Sequence, residues 1–267
     1  MKNIRSILTI LLAAAALPAC DKNAVREIAG PADDGAFVKF FNFAPSSPAV
    51  NFYANNTKVT AISSTTCAIL TESNQTVCTT TGSESTSGVG YGSSANGANG
   101  WYSALDAGQY TLSGRIAAAT DKNLPISNLQ TNLASGHRYS YYLSGPYNTT
   151  TKTADSFVIE DVLPAVDYAK AYVRFVNAIS TSSPMVLYAT NTGTTTETAV
   201  GGGVAYKEGG AFVALDPGVY NLATRLATGG GNLVTRTGVG FSAGRIYTIG
   251  ARGAATSSGA LDNTANH

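Results

Sequence analysis

Ala214-Leu215-Asp216-Pro217-Gly218-Val219-Tyr220-Asn221-Leu222 is the stretch on which the fold turns. Asp, Pro and Gly fall on the first three positions of a type II turn, where proline presets a negative φ and glycine takes a positive one. The turn separates two strand-like runs, about 210–215 and 219–227. Period-two alternation past it points Tyr220 and Leu222 inward, and Asn221, Ala223 and Arg225 outward. The same phrase stands earlier as Ala104-Leu105-Asp106-Ala107-Gly108-Gln109-Tyr110-Thr111-Leu112, and an arginine follows three residues on in both, Arg115 and Arg225.

Other blocks recur in the same order. Ala36-Phe-Val-Lys-Phe-Phe-Asn42 returns as Ala171-Tyr-Val-Arg-Phe-Val-Asn177, and Ser46-Ser47-Pro48 as Ser182-Ser183-Pro184. Tyr53-Ala54 returns as Tyr188-Ala189, Val89-Gly90-Tyr91 as Val204-Ala205-Tyr206, and Ser135-Gly136-His137-Arg138-Tyr139-Ser140 as Ala243-Gly244-Arg245-Ile246-Tyr247-Thr248. The chain is a tandem duplication. Short strands, turn signals every 8–12 residues and no amphipathic helix indicate an all-β fold. The expectation is two tandem antiparallel β-sandwiches of the immunoglobulin/transthyretin-like kind. Copy 1 spans 35–165 with an insertion at 62–88, copy 2 spans 166–253, and 254–267 reads as a flexible tail.

The first copy carries a further strand-like run, 156–163, before Leu163-Pro164-Ala165-Val166-Asp167 opens the second. Upstream, Lys2 and Arg5 precede an apolar stretch, Ser6 to Ala16, of the length of a signal-peptide core. Leu17-Pro18-Ala19-Cys20 then resembles a bacterial lipobox, so 1–19 reads as a lipoprotein signal peptide, Cys20 as the lipidated residue and 20–34 as a polar tether. The expected address is the bacterial cell envelope, lipid-anchored, with the outer membrane or cell surface favoured over the inner membrane.

Composition agrees with exported β-structure. Only 12% of the 267 residues are charged, against roughly 25% in an ordinary soluble protein. Removing Lys2 and Arg5 leaves 15 basic residues against 16 acidic ones, which argues against nucleic acid as a partner. Cys67 and Cys78 have no neighbouring histidine or further thiol to complete a structural zinc site, so a local disulfide is favoured over a metal.

The Ala171–Ala178 opening, the Leu215–Tyr220 turn and the Ser242–Thr248 strand resemble the domain of unknown function 4397 family. The likeness covers nearly all of the mature chain and is stronger in the second copy. It implies exported or lipid-anchored bacterial β-domains, often in tandem, and brings no catalytic residues with it.

The chemistry-bearing residues read mostly as structure. Gly240-Phe241-Ser242-Ala243-Gly244 fits the Gly-x-Ser-x-Gly pattern, but a strand follows it where the nucleophile elbow needs a helix, and the only later histidine is His267. His137 sits in a turn, Asp106 and Asp216 form turns, and Gly201–Gly203 and Gly229–Gly231 read as loops without a following helix. Neither a metal nor a cofactor is expected. Lys39 and Arg174, like Arg115 and Arg225, recur at equivalent positions. They read either as outward basic residues paired with nearby carboxylates or as a basic stripe for an acidic glycan or a lipid headgroup.

Trp101 matches Ala211 and Tyr142 matches Gly250, so both aromatics lie outside the common framework and are candidates for holding a sugar ring. The candidate ligand residues are therefore Trp101, Tyr142, Tyr147, Arg115 and Arg225. The expected function is a non-catalytic binding or structural module of the envelope. Its partners are the membrane through the lipid, and a glycan or an envelope protein. A carbohydrate-binding module using Trp101 and the Tyr141-Tyr142-Tyr147 region is the alternative, and a hydrolase a distant third.

Overall fold

A strand with one face in a core alternates apolar and polar residues, whereas Phe37-Val38-Lys39-Phe40-Phe41 and Tyr172-Val173-Arg174-Phe175-Val176 are nearly continuous apolar runs around one cation. Such strands are buried on both faces, and these two are. In the computed structural model, residues 35–59, 63–70, 75–82, 87–95, 102–180, 183–253 and 260–266 are described, with side chains outside 63–70, 75–82 and 262–266.

Copy 1 supplies β1 (Gly35–Asn42), β2 (Val50–Ala54), β3 (Thr57–Lys58), β4 (Ser63–Leu70), β5 (Gln75–Gly82), β6 (Ser93–Ser94), β7 (Ser103–Asp106), β8 (Gly108–Ile116), β9 (Pro125–Leu133), β10 (Arg138–Asn148) and β11 (Thr153–Glu160). Copy 2 supplies β12 (Ala171–Asn177), β13 (Met185–Asn191), β14 (Glu197–Val204), β15 (Glu208–Gly209), β16 (Val213–Leu215), β17 (Gly218–Leu226), β18 (Val234–Phe241), β19 (Ile246–Arg252) and β20 (Ala260–Asn266).

Each copy is a two-sheet sandwich. In copy 1 the order β11-β10-β1-β6, with β7 also on β1, faces β3-β2-β8-β9. In copy 2 the order β15-β12-β19-β20, with β16 on β12, faces β14-β13-β17-β18. Pairing is antiparallel apart from one parallel pair in each copy, β1 with β10 and β12 with β19. Val38, Phe40, Phe52, Leu112 and Tyr141 fill the first core, and Val173, Phe175, Leu187, Leu222 and Ile249 the second.

The Leu-Asp-x-Gly phrase does not make a hairpin. β7 pairs with β1 in one sheet and β8 with β2 in the other, and β16 and β17 are split in the same way. Asp216-Pro217-Gly218 is therefore a corner between sheets. Gly218 does not take the positive φ that the type II reading requires. In copy 2 the Tyr220 hydroxyl donates to the Asp216 carbonyl (2.7 Å) and closes the corner. Tyr220 and Leu222 point into the core as their alternation requires.

The repeated asparagine closing the first strand has an equally local reason. Asn42 and Asn177 are fully buried, and their Nδ2 atoms donate to the Val89 and Val204 carbonyls (2.9 and 3.1 Å). Their Oδ1 atoms accept from the backbone N–H two residues on, at Ala44 and Ile179. Each clips its strand to the edge of the opposite sheet.

Three expectations are corrected here. Within 254–267, expected as a flexible tail, Ala260–Asn266 form β20, antiparallel to β19, with Leu261 in the second core. β20 is the counterpart of β11, so the strand-like run credited to copy 1 alone belongs to both. Gly201–Gly203 lie within β14, where Gly201 takes φ 76° beside a register shift against β13. The insertion, expected as an exposed loop, contains the hairpin β4–β5. It interrupts an edge strand: copy 2 runs straight from Val200 to Val204 along β13, whereas copy 1 leaves at Val59 and returns only at the Val50–Val89 bridge.

Candidate functional site

A cluster of buried polar side chains lies where the copies meet, within the single compact unit that spans 33–267. Lys39 on β1 and Arg174 on β12, expected as outward basic residues paired with nearby carboxylates, are 3% and 2% exposed. They are outward with respect to their own sandwich, but the other copy covers that face. Asp161, which follows β11, serves both. Its Oδ1 accepts from Arg174 Nη2, and its Oδ2 accepts from the Tyr102 hydroxyl and from Ser140 Oγ, each at 2.8 Å. Arg174 also donates through Nε to Thr248 Oγ1 (2.9 Å) and through Nη1 to the Glu160 carbonyl (3.2 Å).

The cluster repeats across the two copies. Lys39 Nζ lies 4.4 Å from the Tyr102 ring centroid, and the Arg174 guanidinium lies 4.8 Å from that of Phe212. Tyr102 and Phe212 are equivalent residues, as are Ser140 and Thr248. Two copies of one cation–aromatic–hydroxyl set thus converge on one carboxylate. Burial drives the Lys39 amine down to about 8, an effect the Asp161 charge opposes and the Arg174 charge reinforces. Burial, together with the adjacent Asp161 charge, raises the Tyr102 phenol well above its usual range. Arg174 and two hydroxyls hold Asp161 with both oxygens occupied, and the Lys39 charge adds an electrostatic attraction, which is the satisfaction a buried charge requires.

Beside it lies an aromatic ladder. Phe41, Tyr142 and Phe157 are register partners on β1, β10 and β11, and their rings stack at 4.8 and 5.0 Å. Val176 and Ala178 of copy 2 pack on them. Tyr142, expected as an exposed sugar platform, is 1% exposed within this ladder. Gly250 stands at its place in copy 2 because the Phe43 ring occupies the space: a Cβ there would lie 2.7 Å from Phe43 Cε2.

Further out, the Tyr206 hydroxyl donates to Asp155 Oδ2 (3.0 Å) and bonds Ser144 Oγ (3.1 Å), and the equivalent Tyr91 ring carries the Arg252 guanidinium at 4.8 Å. Ser144 and Arg252 are themselves equivalent, so the contacts exchange as in an isologous dimer.

Arg115 and Arg225 lie on the opposite sheets, each flat on a tyrosine, Tyr53 and Tyr188, at 4.3 Å. Glu197 forks Arg225 at 2.8 and 2.6 Å, and Asn232 takes its Nε at 2.8 Å. That fork raises the arginine further and lowers the glutamate. Among the described residues Arg115 has no such carboxylate. It donates to the Asn55 carbonyl (2.7 Å), Ser113 Oγ (3.2 Å) and Asn56 Oδ1 (3.4 Å).

The remaining candidates scatter. Trp101, Cys20, the tether and the signal peptide lie outside the described residues. Tyr147 is half-buried against the first core, and the Tyr141 ring is buried in it. Cys67 and Cys78 are directly paired across β4 and β5. Ser242 sits in the turn between two strands, where its backbone N–H donates to the Tyr247 hydroxyl (3.0 Å), and His137 pairs with Glu160 at 2.8 Å. Among the described residues no group of three or more His, Cys, Asp or Glu is placed to hold a metal. Sequence reasoning missed Asp161 and Tyr102. The signal for them was the apolar continuity of the two cation-bearing strands, which demands a buried counter-charge.

No curated protein matches the chain. Among solved structures it is similar to a candidate cell adhesion protein from Bacteroides fragilis NCTC 9343, at 7% identity over 88% of this chain and 98% of that one, with a TM-score of 0.22. At that score the likeness carries no argument about function. The model of the family described as domain of unknown function (DUF4397) matches residues 36–188, which run from β1 through copy 1 into β13. More than half of the sequence is covered, and the chain belongs to the DUF4397 family.

Proposed function

We propose that the protein is a non-catalytic envelope module: two sandwiches locked face to face, tethered by lipid at Cys20, that display a binding surface or serve as a structural spacer. The observation that carries the reading is the junction at Asp161. There the reactive side chains that a catalytic site would use, a depressed lysine, a carboxylate and a tyrosine, are buried against one another and committed to holding two domains together. The lipid anchor rests on the Leu17–Cys20 lipobox. Metabolic labelling with a palmitate analogue tests it: label on the wild type and none on Cys20→Ser is the expected result, and equal label on both refutes it.

Carbohydrate binding through copy 1 is the second reading. What favours it is the outward face of β8 and β9, where the exposed amides Asn128 and Gln130 share a side with Arg115. A polysaccharide-binding screen of the full chain, with Trp101→Ala in parallel, tests it; absence of binding to every glycan removes it. An envelope-protein partner would instead meet the connector, which leaves Val162, Val166 and Tyr168 exposed.

A further inference from the structure

We propose that copy 1 holds a carboxylate-binding subsite at Arg115, and that its ligand is the carboxylate of an acidic polysaccharide; this rests on the carbohydrate reading above. The duplication supplies the internal control. In both copies an arginine lies over a tyrosine at 4.3 Å on the same strand and at the same register. In copy 2 the arginine's terminal nitrogens are filled end-on by the Glu197 carboxylate, 2.8 Å from Nη1 and 2.6 Å from Nη2. Aligned on Ala54/Ala189 and on Thr57/Thr198, the place of Glu197 falls to Asn56 in copy 1.

In copy 1 only neutral oxygens meet the fork, the Asn55 carbonyl at 2.7 Å and Asn56 Oδ1 at 3.4 Å, both on Nη2, and Nη1 is left without a partner among the described residues. Copy 2 thus shows the pose of a carboxylate on this arginine–tyrosine pair, and copy 1 presents the pair without it. Planar guanidinium binds carboxylate in that bidentate fork, and its stacking on Tyr53 fixes the plane in advance.

The surroundings select a sugar acid over an acidic peptide. Strand β8 lies between β2 and β9, so it offers no free edge on which an extended peptide adds as a strand. Its outward face instead carries groups suited to sugar hydroxyls. Asn128 and Gln130 pair with Ser113 and Thr111, where copy 2 has Ala223 and Asn221 at the latter two positions.

The test is titration calorimetry of the full chain with an oligogalacturonate, a neutral oligosaccharide of the same length and an oligoglutamate peptide. One uronate site is expected, weakened at least tenfold in Arg115→Ala and in Asn56→Glu, the latter supplying copy 1 with the carboxylate that copy 2 already has. Glu197→Asn, which uncovers Arg225, is expected to raise the stoichiometry from one to two. Unchanged uronate binding in Asn56→Glu overturns the proposal, as does binding of the peptide alone. Binding of neutral and acidic sugars alike, indifferent to Arg115, overturns the subsite while leaving the carbohydrate reading standing. Silence with every saccharide overturns both.

Discussion

Asp161 carries a charge that two equivalent cations need, and its removal strands both. Breaking a buried pair by deleting one partner costs about 3–5 kcal/mol, because the remaining charge stays desolvated. Asp161→Asn is expected to lose that much in urea unfolding at neutral pH, and Asp161→Ala at least as much. Lys39 is the opposite case. Folding lowers its amine from 10.5 to about 8, so between those values the unfolded chain binds more protons than the folded one. The sign follows: stability from this residue is present in full above 10.5 and is lost as pH falls through about 8. The stability of the wild type minus that of Lys39→Met should therefore rise from pH 8 to 10.5 and level off below. A flat difference across that window would mean that the amine is solvated. Gly250 makes a third residue-scale prediction. Its alanine variant puts a methyl 2.7 Å from the Phe43 ring, an overpacking of about 1–3 kcal/mol.

At the scale of elements, the hairpin β4–β5 has no counterpart among the described strands of copy 2. Directly opposed residues on antiparallel strands have Cα atoms about 4.5–5.5 Å apart, inside the span that a disulfide accepts. Cys67 and Cys78 are so opposed. Intact mass of the exported protein, alkylated without and with reductant, should show two thiols blocked only after reduction; two alkylated without reductant would refute the bridge.

The elements also mark how far the sequence could be read. Duplication made β12, β13, β16, β17 and β19 of copy 2 visible from copy 1, because equivalent residues lay at equivalent spacing, whereas the glycines of β14 read as a loop. It missed β20, since Ala260-Leu261-Asp262-Asn263-Thr264-Ala265-Asn266 shows almost no alternation and takes its order from pairing along β19. The Asp-Pro-Gly turn was misassigned because its local chemistry is common to a hairpin and to a corner. Which one forms is decided by β16 and β17 finding different sheets. Tyr142 was misplaced by the inference that an aromatic outside the shared framework is exposed: it was absent from copy 2 because copy 2 is what covers it.

For the whole molecule the question is whether two sandwiches, each with its own core, behave as one body. Each cluster alone would support a domain of ordinary size, and connectors of this kind commonly leave domains free to move. Here the faces that meet cannot stand in water without cost. Phe41, Phe43, Tyr142 and Phe157 on one side and Val176 and Ala178 on the other form one buried cluster across the junction, and Arg174 of copy 2 finds its counter-charge, Asp161, only on copy 1. Truncating one large buried aromatic costs about 3–5 kcal/mol, a large fraction of the 5–15 kcal/mol that holds a typical protein folded. The free energy coupling the copies is therefore comparable to the stability of either one. Calorimetry of the wild type should show one cooperative transition in which van't Hoff and calorimetric enthalpies agree. Tyr142→Ala combined with Asp161→Asn should separate it into two, the lower one sensitive to substitutions in whichever copy melts first. Two transitions already in the wild type would mean that the interface contributes less than the difference in stability between the copies, and that the junction orients the domains without fusing them.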